Sequence, residues 1–181
     1  MTSHHRIASI DTDDRNKVEP LFEAVVAALK ADGVTVGGFI ERAGDDPSDD
    51  LKTIAQDIQT GKRYTLLRSS EAPERCCRID PHALGEVNAQ FAITSRALQI
   101  VNSSPDLILF HRFGGIEVKG EGLRIAFEKA CASGVPILTA VAEQYQPDWA
   151  AYCEGKTTVL PADTQAVLDW CRNIATKNTG Q

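Results

Sequence analysis

Arg112, Glu117, Gly120 and Gly122 lie close together in the stretch Asp106 to Arg124, DLILFHRFGGIEVKGEGLR. A guanidinium is a planar fork of donors that holds a small oxyanion bidentately, which makes Arg112 a candidate anion ligand. Glu117 is the candidate catalytic group, able to polarise a water or to bind a metal. The glycines would let backbone N–H groups approach a ligand closely. Phe113 and Gly114, between the two charged residues, complete the candidate ligand-binding set. Each feature also has a structural reading, in which Arg112 pairs with Glu117 and the glycines serve a turn.

Two other clusters carry possible chemistry. In Arg75-Cys76-Cys77-Arg78-Ile79-Asp80, arginines flank vicinal thiols just before a helix start, an electropositive setting that favours an anion or a thiolate. Cys77 and Arg78 join the candidate site on this ground, and Arg68, at the end of a strand, is placed to join them. The alternative is that these arginines balance Glu71 and Glu74 in a solvent-facing loop. The second cluster, Asp11-Thr12-Asp13-Asp14, follows the first strand. Asp11 and Asp13 are possible metal ligands, but helix capping accounts for aspartates at such a turn equally simply. His4, His5 and His82 have no ligand-like spacing, and His111 reads as a structural histidine on the strand face opposite Arg112.

The elements that must position these groups follow from hydrophobic periodicity. RIASI (6–10) is a short strand, and Val18, Leu21, Phe22, Val25, Val26 and Leu29 mark one face of the helix after it. A second strand spans 34–40, closing a βαβ unit and predicting a parallel sheet with a right-handed crossover. Residues 41–50 read as an acidic loop, and 53–58 with 63–68 as a β-hairpin around Gln59-Thr60-Gly61-Lys62. Asp80-Pro81 starts a long helix, and Leu107 to Phe110 is a buried strand. A helix is expected over 120–133, a strand at 135–141, a short helix at 148–153, a strand at 157–160, and a last helix capped by Asp163. The chain thus reads as one α/β domain over 1–181 with a mostly parallel sheet.

The polar loop after the 107–110 strand falls at the carboxyl edge of such a sheet, where ligands bind. The turn after the first strand, DTDDRNK, lacks the glycines and lysine of GxxxxGK[ST], so the Walker A motif is absent there. A triphosphate would meet three carboxylates.

Composition bounds the partners. A formal net charge of −6 argues against nucleic acid, and no apolar run reaches the roughly 20 residues that span a bilayer. A cytoplasmic location is expected, and five cysteines, an odd number, argue against a disulfide framework.

The ordered set RCCRIDPHAL, PDLILFHRFGGIEVKGEGLR, GVPILTAV and TVLPADTQAVLDW resembles the bacterial family called domain of unknown function 2478. In that family a strand is followed by N-(K/R)-F-G-x-x-E-x-x-G-x-G-(L/F). Arg112, Phe113, Gly114, Glu117, Gly120, Gly122 and Leu123 fill this pattern, and His111 replaces the usual asparagine. The hairpin and the Arg-Phe-Gly loop are similar, more distantly, to the thermophilic nucleoside-triphosphatase family of P-loop proteins. The resemblance implies a three-layer P-loop-like fold of unestablished activity. Association of family members with molybdenum-transport genes implies molybdate or tungstate as ligand and a molybdenum-related protein or a second copy as partner. The expected function is therefore small-oxyanion binding without catalysis. The alternatives are a nucleotide-binding protein or Mg²⁺-dependent nucleoside-triphosphatase, with Mg²⁺ only if a nucleotide is bound, and a non-catalytic interaction module.

Overall fold

A computed structural model describes residues 6–12, 14–43, 52–67 and 81–175. The elements are β1 (Ile7–Asp11), α1 (Arg15–Ala31), β2 (Val36–Ala43), β3 (Lys52–Asp57), β4 (Arg63–Leu67), α2 (Pro81–Asn102) and β5 (Leu107–Phe113). They continue with α3 (Gly115–Val118), α4 (Arg124–Ser133), β6 (Ile137–Val141), a 3₁₀ turn (Glu143–Tyr145), α5 (Gln146–Tyr152), β7 (Thr158–Leu160) and α6 (Thr164–Ala175).

One seven-stranded sheet has the order β4-β3-β2-β5-β6-β1-β7. Strands β2, β5, β6, β1 and β7 run parallel, while β3 and β4 form the antiparallel hairpin that extends the β2 edge. Apolar side chains alternate between the two sheet faces, so two cores form. On one face α1 and α6 pack through Phe22, Val25, Leu29, Val167 and Cys171 over Ile10, Leu109 and Leu138. On the other, Ile93, Phe127 and Trp149 of α2, α4 and α5 cover Phe39, Ile108, Phe110 and Ile137. The central strands are apolar on both faces because both are covered by helices.

Local devices fix the joints. The α1 N-terminus is capped by the Asp14 carboxylate, which accepts the Asn16 N–H at 3.0 Å. Asp163 similarly accepts the Ala166 N–H at 2.8 Å at the start of α6. The hairpin is tied to α2 by Asp57, whose buried carboxylate accepts from Arg96 Nε at 2.6 Å and from the Gln59 and Thr60 N–H groups at 2.8 and 3.2 Å. Where β2 and β5 pair, Gly38 has φ +125°, and a methyl group there would run into the carbonyl oxygen of Leu109. Only glycine fits this close backbone approach.

Three expectations are corrected. The helix expected over 120–133 is α4 alone and lacks its first four residues, because Gly120 and Gly122, at φ +88° and +61°, stand between it and the short α3 that precedes it. Left-handed residues cannot continue a right-handed helix, so α4 starts only at Arg124. Strand β2 runs on to Ala43 instead of giving way to loop at Glu41, because β3 pairs with it as far as Ala43 and Thr53. Strand β5 runs on to Phe113 instead of ending at Phe110, so Arg112 lies within it, and its guanidinium pairs with Glu41 across on β2, in place of the Glu117 pairing weighed as the structural alternative.

Candidate functional site

Two adjacent strands whose following helices lie on opposite faces open a crevice at the carboxyl edge of the sheet. Here that point lies between β1, which leads into α1, and β6, which leads toward α5. The connection from β1 to α1 is only Thr12, Asp13 and Asp14. Thr12 Oγ1 accepts the Asp14 N–H at 3.1 Å, and Asp14 spends its carboxylate on the helix cap. Gln146 Nε2 donates to the Val141 carbonyl at 3.1 Å and lies 3.4 Å from Asp11 Oδ1. The Asp11 and Asp14 carboxylates and the Gln146 amide thus stand together at this edge. Among the described residues no group of three or more His, Cys, Asp and Glu side chains is arranged to hold a metal ion. Asp11 is exposed at the strand end, and Asp13 lies outside the described residues.

A second opening lies between β2 and β5. Their ladder runs from Val36 beside Leu107 to Phe39 beside Phe110. Beyond it β5 bulges between Leu109 and Arg112 as it follows β6, and such irregularities re-aim side chains at strand ends. Side chains then bridge the gap. The Glu41 N–H donates to His111 Nδ1 at 3.0 Å, and the Glu41 carboxylate accepts from Arg112 Nη2. His111 is buried, its ring edge-on to Phe22 of α1 at 5.4 Å, so it is part of the wall. The Arg112 and Glu41 side chains are each 26% exposed, enough for a solute to reach them.

The loop after Arg112 is organised around Glu117. Its Oε2 accepts the Gly114 N–H at 3.0 Å and its Oε1 accepts the Leu123 N–H at 3.2 Å, so one carboxylate clasps both ends of the α3 turn. A side chain at Gly122 would collide with this carboxylate. Burial pushes the Glu117 pKa up, the two N–H bonds pull it back, and the charge of Glu41 adds to the rise. The net shift is upward. Other N–H groups of the loop also point inward: Val118 to Gly114 O, Lys119 to Gly115 O, Gly120 to Glu117 O and Glu121 to Ile116 O. The expected presentation of a helix N-terminus by Gly120 is therefore replaced by a self-satisfied turn.

The expected site residues separate into distinct roles. Arg112 faces the notch between β2 and β5. Phe113 is 1% exposed and packs against Phe127, Trp149 and Tyr152 in the core. Gly114 and Glu117 form the clasp, and Gly120 and Gly122 make the turn that closes it. Arg68, Cys76, Cys77 and Arg78 lie outside the described residues. Sequence reading missed Glu41. The one hint was a carboxylate directly after an apolar run, at the strand end where the ligand edge lies.

On the α5 side a cleft of about 290 Å³ is lined by Phe113, Val118, Arg124, Asp148, Ala151 and Tyr152. The Arg124 guanidinium stacks 4.2 Å over the Tyr152 ring, donates to Glu128 at 2.9 Å, and donates to the Glu117 carbonyl at 3.1 Å. These commitments make Arg124 a brace for the loop. Cys131, Cys153 and Cys171 are free thiols, and burial pushes all three pKa values up, those of Cys153 and Cys171 to about 12. A thiol in that state is a poor nucleophile at neutral pH.

The sequence profile of the family described as "Protein of unknown function (DUF2478)" matches residues 7–170, and the chain belongs to that family. It is 28% identical over 174 residues to the Molybdenum import ATP-binding protein ModC 2 of Bradyrhizobium diazoefficiens. That match takes in 96% of this chain and 19% of the relative, so the chain spans about a fifth of its length. The fold is similar to that of a human cancer-related nucleoside triphosphatase, with a TM-score of 0.65, 15% identity, and coverage of 97% of this chain and 98% of the other. The two chains therefore share a fold, an α/β sheet similar to that of a P-loop nucleoside triphosphatase. Among the described residues no helix is long and apolar enough to cross a membrane.

Proposed function

We propose that this member of the DUF2478 family is a binding domain for a small tetrahedral oxyanion, held by Arg112 in the notch between β2 and β5. One observation carries the reading: the Arg112 guanidinium stands at the carboxyl edge, partly open, and already holds an oxygen anion, the Glu41 carboxylate. Guanidinium recognition of carboxylate and of tetrahedral oxyanions uses the same donor fork. Molybdate or tungstate is the proposed ligand class, a choice supported by the name of the rhizobial relative, a molybdenum import protein. Because the match occupies a fifth of that relative, a module acting beside molybdenum-import proteins, in the cytoplasm, is the setting this reading favours. No catalysis is required, since the Glu117 oxygens both hold backbone N–H groups.

Calorimetric titration with molybdate, tungstate, phosphate and sulfate tests this. The expected outcome is saturable binding of at least one of them, lost in Arg112→Ala. An unaltered isotherm in that variant, or none in the parent at millimolar anion, overturns it. The fold supports a second reading, nucleotide binding at the crevice between β1 and β6. There Asp11 and the Asp14 cap face the position that phosphates would need, so a bound Mg²⁺ would have to offset them. Titration with Mg²⁺–ATP and Mg²⁺–GTP distinguishes the two readings, because Arg112→Ala leaves binding at that crevice intact.

A further inference from the structure

We infer that the cleft between the start of α4 and α5 is a binding site for a free amino acid, taken as its zwitterion. The cleft, about 290 Å³, is lined by Phe113, Val118, Arg124, Asp148, Ala151 and Tyr152. Small-molecule sites start at roughly 300 Å³, so this one suits a single small solute. Arg112 is not among the lining residues, and the inference is independent of the oxyanion reading.

Two opposite charges share this cleft without neutralising each other. Arg124 opens α4, and Asp148 lies in the first turn of α5. The Arg124 guanidinium is fixed by the Tyr152 ring at 4.2 Å, by Glu128 at Nε and by the Glu117 carbonyl at Nη1. Nη2 keeps both of its N–H groups uncommitted among the described residues, and the side chain is 28% exposed. Asp148 is exposed, and among the described residues its carboxylate makes no ion pair and no hydrogen bond.

A ligand with one charge satisfies half of this arrangement. A carboxylate alone takes Arg124 Nη2 but is repelled by Asp148, and an ammonium alone takes Asp148 but is repelled by Arg124. A zwitterion answers both: its carboxylate accepts from Nη2 and its ammonium donates to Asp148, each through a charge-assisted hydrogen bond. Glu128 competes for Arg124, but its side chain is 54% exposed and solvent screens that competition. The other four lining residues present aliphatic and aromatic carbon, which selects an apolar ligand side chain. Arg124 is held in place before the ligand arrives, so binding carries little cost of ordering it.

NMR titration of the parent and Asp148→Asn chains tests this, with L-leucine, L-leucinamide and 4-methylpentanoate as probes at mildly acidic pH. Leucinamide keeps the ammonium without the carboxylate, and 4-methylpentanoate keeps the carboxylate without the ammonium. Asp148 is exposed and unbonded among the described residues, so Asp148→Asn retains the fold, which a matching thermal melt checks. The expected result is saturable leucine binding by the parent, about tenfold weaker in Asp148→Asn, the loss that follows removal of a charged hydrogen bond. Both analogues bind the parent more weakly than leucine. Absence of saturable shifts with millimolar leucine, an unaltered affinity in Asp148→Asn, or either analogue binding as tightly as leucine overturns the inference.

Discussion

Removing the Glu117 clasp tests the loop from the structure alone. The carboxylate accepts two backbone N–H groups from opposite ends of the α3 turn. Gly114 is buried, so in Glu117→Ala its N–H would have no water to replace the lost acceptor, whereas Leu123 is partly exposed and recovers some. A buried unsatisfied donor costs about 1–3 kcal/mol and a charge-assisted bond contributes roughly 1.5–3 kcal/mol, while relief from burying a carboxylate offsets part of both. The net expectation for Glu117→Ala is a loss of about 2–4 kcal/mol, or very roughly 4–15 °C in Tm for a chain of this size. Glu117→Gln keeps one acceptor but turns an NH₂ group toward the other N–H, so about 1–2 kcal/mol is expected.

The pH dependence supplies a second readout with a definite sign. Burial raises the folded pKa of Glu117 above its unfolded value, so the folded chain takes up the proton first as pH falls. The penalty for the buried charge is fully present above the folded pKa and disappears as pH drops toward the unfolded one. Urea midpoints between pH 7 and pH 4 should therefore show the parent gaining on Glu117→Gln as the solution is acidified. A Glu117→Gln chain as stable as the parent, with the same pH slope, would refute the clasp.

Two further predictions concern the scaffold. Gly38→Ala places a methyl against the Leu109 carbonyl at φ +125° and should cost upward of about 3 kcal/mol. Gly134→Ala, at φ +72° with open space around it, should cost only about 1 kcal/mol, and paired denaturation curves separate clash from backbone strain. Arg96→Ala leaves the fully buried Asp57 carboxylate with its two backbone donors but no cation, an expected loss of about 2–3 kcal/mol. Burial pushes the Asp57 pKa up, but Arg96 and the Gln59 and Thr60 groups outweigh it and hold it below the usual range. The stability this carboxylate contributes is present above the ordinary aspartate pKa and is lost as pH falls through the folded one, so Arg96→Ala should flatten that acid limb in urea titrations.

Much of the scaffold is legible in the chain. The 53–68 hairpin, the Asp163 cap, the apolar runs of β5 and β6 and the α1 stripe are local patterns, and local patterns survive into the fold. What sequence could not show depends on partners distant in the chain. Glu41 reads as the start of an acidic loop, yet pairing with β3 keeps it in strand and brings it to Arg112, 71 positions later. The run Leu123, Ala126, Phe127, Ala130 extends a helical period back to the glycines, but these take left-handed φ values within the turn that the Glu117 clasp closes, which no periodicity encodes. The Arg-Phe-Gly triplet looked like one site. Phe113 belongs to the core, and the chemistry rests with its neighbour.

The strand order has a consequence for how the chain assembles. Strand β1 is first in sequence, but its neighbours are Ile137–Val141 on one side and Thr158–Leu160 on the other. During synthesis β2, β3 and β4 can pair as they emerge, whereas β1 has no strand partner until most of the chain has left the ribosome. The α1 stripe must wait as well, because α6 completes the layer it packs in. A nascent chain halted before β6 would hold its first strand as an unpaired apolar edge, open to association with other chains. The segment from β6 to α6 thus acts as the latch of folding, and its loss would leave β1 and the α1 stripe uncovered.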